Sequence, residues 1–145
     1  MKMKVYLAGA MTGLSEKMMN GWRLELSTQL KHTFNNIDVI NPVEHFKKYP
    51  DMGADANAMT KWCLEQVSES DLVIARIRKN ETSLGTMGEL TRACDMWTPI
   101  CVYSPEVRQE ELHPFIQYMA DFVAQTHDDV IEFTRFIERT LQQEG

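Results

Sequence analysis

The chain has little cysteine, and an odd number of them. Cys63, Cys94 and Cys101 are the three present, and none makes a Cys-x-x-Cys pair, which argues against a disulfide framework or a zinc site. Buried reduced thiols are the plain expectation for Cys94 and Cys101. The four histidines, His32, His45, His113 and His127, have no metal-ligand spacing either, so no metal is expected. Positive charge is short as well. With 15 Lys and Arg against 21 Asp and Glu the net charge is −6, which disfavours an extended nucleic-acid surface. A small nucleotide remains allowed, because one phosphate needs only a local cradle. No apolar run approaches the roughly 18 residues of a membrane span. The apolar stretch at residues 5–10 is shorter than the roughly 7–15 residues of a signal-peptide core, so it is expected to be the first strand of a cytoplasmic protein. No repeat or low-complexity segment occurs, and 145 residues suffice for one domain with a sizeable core, residues 1–145.

Strand-like and helix-like segments alternate along this length. Residues 4–9 read as a strand ending in the glycine turn Gly9-Ala10-Met11-Thr12-Gly13. Ser15 is placed to cap the helix that follows, with Trp22, Leu26 and Leu30 at helical spacing. Residues 37–40 form a short strand stopped by Asn41-Pro42. Residues 42–56 read as an irregular segment, longer than the usual connection and of the kind that serves as a lid. Residues 57–68 read as a helix. Residues 71–77 are the clearest strand, with the little alternation of a strand covered on both faces. A helix over 88–97, a strand over 99–103, a short helix over 113–120, a strand over 122–124 and an amphipathic helix over 128–143 complete the pattern. The expected class is α/β with a parallel sheet. Ten methionines suit adaptable packing and indicate no cofactor.

The most informative run is Ser83-Leu84-Gly85-Thr86-Met87-Gly88-Glu89, at a strand-to-helix junction. In an open α/β sheet ligands bind at the carboxyl ends of the strands. Gly85 and Gly88 allow the backbone close to a ligand, and a helix N-terminus offers N–H groups to an anion. Glu89 there is a candidate nucleophile, which points to carbon–nitrogen bond chemistry on a sugar rather than to redox chemistry. On spacing alone it is equally a first-turn carboxylate matched to the helix dipole.

Taken together, Leu7-Ala8-Gly9, Asn41-Pro42, Ser70-Asp71-Leu72-Val73-Ile74-Ala75 and Ser83 to Leu90 resemble the nucleoside 2-deoxyribosyltransferase family, which includes the related nucleoside 5'-monophosphate N-glycosidases. The resemblance spans roughly residues 2–124. It implies a flavodoxin-like, Rossmann-like three-layer sandwich around a parallel sheet of about five strands. It implies a homodimer or larger homo-oligomer with shared sites, a small nucleoside or nucleotide as substrate, and no cofactor. It implies that Glu89 attacks C1' of the sugar and holds a glycosyl ester, which a second base or water resolves. Substrate contacts are expected from Gly9, Met11, Thr12, Gly13, Trp22, Arg23, Asn41, Ser83, Gly85 and His113. Ser83 resembles a phosphate contact of the monophosphate N-glycosidases, where transferases acting on free nucleosides have an aspartate. Its hydroxyl donates to a phosphate without adding negative charge. With Thr12, Gly13 and Arg23 it tilts the expectation toward a 5'-monophosphate. His113 matches a residue that reaches a neighbouring subunit's phosphate site.

One position departs from the family pattern. Cys63 stands eight residues before Asp71, where the family has an aspartate that assists the base or positions the nucleophile. A thiol does not carry a carboxylate's charge at neutral pH unless strongly activated. Asp51 and Asp55 are the substitutes considered, and the alternative is a nucleotide-binding protein with weak or no turnover. A dinucleotide protein is a weaker rival, because Gly9-Ala10-Met11-Thr12-Gly13 lacks the three-glycine fingerprint.

Overall fold

A computed structural model describes residues 2–79 and 83–144; Met1, Asn80, Glu81, Thr82 and Gly145, which the expected domain includes, lie outside the described residues. Five strands, β1 (Met3–Gly9), β2 (Ile37–Ile40), β3 (Leu72–Arg76), β4 (Ile100–Tyr103) and β5 (Phe122–Ala124), form one sheet of order β2-β1-β3-β4-β5. Every pairing is parallel. This is the flavodoxin-like order, in which the chain reverses direction across the sheet between β1 and β3. All of β3 and β4 is buried, which explains their unbroken apolar sequence.

Seven α-helices are described: α1 (Trp22–Thr33), α2 (Pro42–Lys48), α3 (Pro50–Ala54), α4 (Ala56–Ser68), α5 (Leu84–Asp95), α6 (Pro114–Met119) and α7 (His127–Glu144). The two-residue alternation of the strands splits the core into two layers. Val5, Leu7, Leu72, Ile74 and Cys101 pack with Leu26 and Leu30 of α1 and Val130 and Ile137 of α7. Tyr6, Ala8, Val73, Ala75 and Val102 pack on the other face with Val67 of α4, Leu90 and Ala93 of α5, and Ile116 of α6. The result is the expected three-layer α/β sandwich. Asp71 lies at the sheet edge away from the loops of the site, where its Oδ2 accepts from the Lys4 N–H at 2.8 Å. Asp121 does the same for the Ile100 N–H at 2.8 Å.

Three local expectations change. Residues 42–56 are not an irregular lid. They fold as α2, α3 and the start of α4, because Pro42 and Pro50 occupy first helical positions, where the missing N–H costs nothing. The fourth helix is also capped, by Asp55, whose carboxylate accepts from the N–H groups of Asn57 and Ala58 at 3.1 Å each. The helix expected from Gly88 starts four residues earlier, at Leu84, with Ser83 as its cap. Glu89 therefore sits in the second turn of α5 rather than the first. The entry to α1 is a π-helical turn, Lys17–Gly21, with the Ser15 Oγ accepting from the Met18 N–H at 3.2 Å.

Candidate active site

A cavity of about 630 Å³ opens at the carboxyl ends of β1 and β3, the topological switch point of the sheet. Gly9, Met11, Thr12 and Leu14 form one side, from β1 and the loop after it. Met59, Thr60, Cys63 and Leu64 of α4 form another, and Ser83 with Gly85, Thr86, Gly88 and Glu89 of α5 a third. Its size is that of a small-molecule site.

Glu89 is the acid on this wall, and it is 8% exposed. The Tyr6 hydroxyl donates a hydrogen bond to Glu89 Oε2. Burial pushes the carboxyl up to about 7, against the opposing pull of that hydrogen bond and of the nearby Arg23 guanidinium. The site thus holds a carboxylate that is half-ionised near neutrality. Tyr6 itself, buried and beside a carboxylate, keeps its proton far above the usual phenol range. Tyr6 falls in the strand expected over residues 4–9, with no site role expected of it. The available signal was a phenol in a strand covered on both faces, whose buried hydroxyl needs a partner. Thr60, Leu64, Leu14, Pro42, Met59 and Thr86 also line the cavity without having been singled out.

Arg23 forms part of the floor and is 1% exposed. Its Nε donates to the Leu7 carbonyl at 3.2 Å, one terminal nitrogen to the Gly9 carbonyl at 2.9 Å, and the other to the Met19 carbonyl. It clamps the end of β1 to the turn that enters α1. Burial lowers it to about 10, still a cation at neutral pH. Replacing Arg23 by methionine keeps the bulk but leaves three carbonyls without their donor. The expected loss is about 3 kcal/mol or more of unfolding free energy, read by urea denaturation.

Gly9 permits a close approach. A Cβ there would lie 2.9 Å from Trp22 Cζ2 and 3.3 Å from an Arg23 terminal nitrogen. Gly88 is the opposite case, since a Cβ added there meets nothing within 4 Å. No packing among the described residues requires a glycine at 88, and helical glycine costs about 1 kcal/mol relative to alanine. The open space belongs to the cavity wall. Gly88→Ala is therefore expected to stabilise the protein by about 0.5–1 kcal/mol and to raise KM. A parallel thermal melt and saturation curve checks both signs.

Ser83 lines the cavity and caps α5, its Oγ accepting from the Thr86 N–H at 3.2 Å and from the Thr86 hydroxyl at 3.0 Å. Its own proton stays available to a ligand. Of the residues expected to contact substrate, Gly9, Met11, Thr12, Arg23, Ser83 and Gly85 share the wall with Glu89. The remaining four do not line it. Gly13 takes the left-handed φ of 77° that the turn requires. Trp22 lies behind Gly9 in the core. Asn41 caps α2 and donates to Asn20 Oδ1 at 2.9 Å. His113 caps α6, its Nδ1 accepting from the Phe115 N–H at 3.2 Å. Neither substitute acid lines the cavity: Asp55 is committed to its cap, and Asp51 is exposed in α3. Cys63 does line it, with its thiol pushed up to about 11 by burial. Among the described residues no three His, Cys, Asp or Glu side chains converge as a metal-ligand set, and none of the helices is long and apolar enough to cross a membrane.

The fold recurs in solved structures. A conserved protein from Enterococcus faecalis V583 superposes with a TM-score of 0.71 at 17% identity, covering 91% of this chain and 96% of that one. A 2-deoxyribosyltransferase from Bacillus psychrosaccharolyticus gives 0.70 at 19% identity, with 88% and 90% covered. A CMP N-glycosidase from Clostridium botulinum gives 0.54 at 17% identity, with 91% and 98% covered. No curated protein sequence matches the chain significantly. The family model for nucleoside 2-deoxyribosyltransferase matches residues 5–129, most of the chain and every cavity-lining segment, and the chain belongs to that family.

Proposed function

We propose that this protein cleaves the N-glycosidic bond of a (2'-deoxy)nucleoside or its 5'-monophosphate, with Glu89 as nucleophile. The observation that carries this reading is one buried carboxylate facing a small-molecule cavity at the switch point, held by a phenol through one oxygen. Glu89 Oε2 is committed to Tyr6, which leaves Oε1 to attack C1'. The C1'–N bond breaks, its electron pair departs with the base, and the base takes up a proton. A glycosyl ester on Glu89 remains. Water or the nitrogen of a second base then attacks C1', the ester C–O bond breaks, and the carboxylate is restored. Two displacements retain the configuration at C1'.

The Ser83 hydroxyl and the first N–H groups of α5 favour a 5'-monophosphate, because they offer donors without negative charge. Met11, Met59 and Leu64 provide an apolar wall for a base. His113 is exposed at the start of α6 and outside this cavity, so a substrate contact from it requires a second copy of the chain. A cytoplasmic homo-oligomer completes the reading. The alternative, nucleotide binding with little turnover, draws its support from Cys63, a neutral thiol where the family has a carboxylate.

A panel of nucleosides and 5'-monophosphates, with and without an acceptor base and followed by chromatography, tests the reading. Base release or exchange supports it, and acceptor dependence separates transfer from hydrolysis. Because only ionised Glu89 attacks, kcat/KM is expected to rise with pH through about 7 and to level off above it. A rate that falls across the same range would assign Glu89 a different role.

A further inference from the structure

The α4 wall of the cavity carries Met59, Thr60, Cys63 and Leu64, spaced so that they share one face of the helix. Thr60 brings the one hydroxyl of this wall, and its hydrogen bonding departs from that of the other helical threonines. Thr28, Thr33, Thr91, Thr134 and Thr140 each donate to the carbonyl four residues back, where a helical hydroxyl commonly settles. Thr86 donates to Ser83. Thr60 has Ala56 four residues back in the same helix, yet its hydroxyl bonds to no group among the described residues. It keeps a donor and an acceptor for the cavity. The other polar side chains are spent or stand elsewhere. Arg23 donates to backbone carbonyls, Glu89 accepts from Tyr6, and Ser83 and Thr12 belong to the two other walls. Because α4 ends just before β3 begins, its early residues lie toward the cavity mouth. Cys63 packs in the core layer of Tyr6, the partner of Glu89. Thr60 stands three residues earlier, about 4.5 Å nearer the mouth along the helix axis. That is about the span from the anomeric carbon of a sugar to the far edge of its base.

We propose that Thr60 is a specificity-determining residue for the base, its hydroxyl pairing with the polar edge of a base laid against Met59 and Leu64. The proposal rests on the reading of the cavity as a nucleoside or nucleotide site. A hydroxyl rotates to give or to take a hydrogen bond, so it serves an amino group and an oxo group alike. A base with neither leaves the hydroxyl without a partner in a cavity emptied of water, and is disfavoured for that reason. The site thus selects bases by the presence of a polar group at the far edge and does not separate amino from oxo bases.

Calorimetric binding of three matched probe pairs tests it. The probes are the 5'-monophosphates and nucleosides of cytosine and uracil, of adenine and hypoxanthine, and of the bare rings 2-pyrimidinone and purine. The parent is expected to bind amino and oxo bases within about threefold of each other, and the bare ring of the same size about fivefold or more weakly. Thr60→Val keeps the shape and removes the hydroxyl. It is expected to erase that preference while leaving affinity for the bare rings unchanged, and Thr60→Ser is expected to restore it. Thr60 is exposed, so both variants are expected to melt like the parent. Thr60→Val keeping the parental preference, Thr60→Ser as flat as Thr60→Val, equal weakening of every probe, or no binding of any probe overturns the assignment. Binding needs no turnover, which separates this test from that of the chemistry. Base release with a preference indifferent to Thr60 overturns the assignment and leaves the glycosidic reading standing. A Thr60-dependent preference supports the assignment whether or not base is released.

Discussion

Glu89→Ala is expected to abolish release and exchange of base, with kcat reduced by on the order of 10⁴-fold or more, as when a covalent nucleophile is removed. The substitution takes away the group that forms the ester and leaves the cavity walls from α4 and the Gly9 loop in place. Ligand binding, followed as a shift in melting temperature with added nucleotide, is therefore expected to survive. The combination of retained binding and lost turnover separates the proposed chemistry from simple nucleotide binding. A parent protein that binds but releases nothing would instead favour the binding reading. Measuring single-turnover base release in parent and mutant checks it.

Glu89→Gln is expected to be more stable than the parent above pH 7. Folding raises this carboxyl from the ordinary 4.5 to about 7. Below pH 4.5 both folded and unfolded chains hold the proton, and Glu89 costs nothing. As the pH rises toward 7 the unfolded chain releases its proton first, so the folded state binds more protons and stability falls with pH. The loss is complete above the folded value and amounts to about 3 kcal/mol. The glutamine has no proton to lose, and its carbonyl still accepts from Tyr6. The mutant should lose the descending slope between pH 4.5 and 7 and melt on the order of 5–10 °C higher at pH 8. Thermal melts of both proteins from pH 4 to 8 check it. Equal slopes would mean that Glu89 is ionised in the fold without cost. An enzyme that gains stability by losing its nucleophile is the expected signature of a carboxylate kept buried for chemistry.

The fold was legible in the sequence because its central strands are buried on both faces, and such strands read as unbroken apolar runs. Leu72, Val73, Ile74 and Ala75 announced β3, and the alternation of strands and helices announced the parallel sheet. The errors came from residues with two meanings. Pro42 read as the stop of a strand and Pro50 as part of an irregular segment, but both occupy first turns, where proline begins a helix. Gly85 read as loop and Gly88 as the start of the helix, yet the capping hydroxyl of Ser83 carries the helix through both.

The site was legible where local sequence gathers it. Ser83, Gly85 and Glu89 lie on one helix start, and Gly9, Met11 and Thr12 on one turn. Tyr6 was not, because its partner lies 83 residues away and only the packing of β1 against α5 brings them together. Arg23 was placed at the site, but its donors go to backbone carbonyls, a distribution that side-chain chemistry alone does not reveal. Asn41 carried the reverse ambiguity, since the amide that could touch a ligand is the one that caps α2.

The central claim is that Glu89 carries the sugar. Rapid acid quench of the protein during turnover of the best substrate of the panel, followed by peptide mass spectrometry, tests it most directly. The account predicts a glycosyl adduct on the peptide containing Glu89, absent in Glu89→Ala and discharged by an acceptor base or by time. An adduct on another residue, or undiminished turnover in Glu89→Ala, would contradict it.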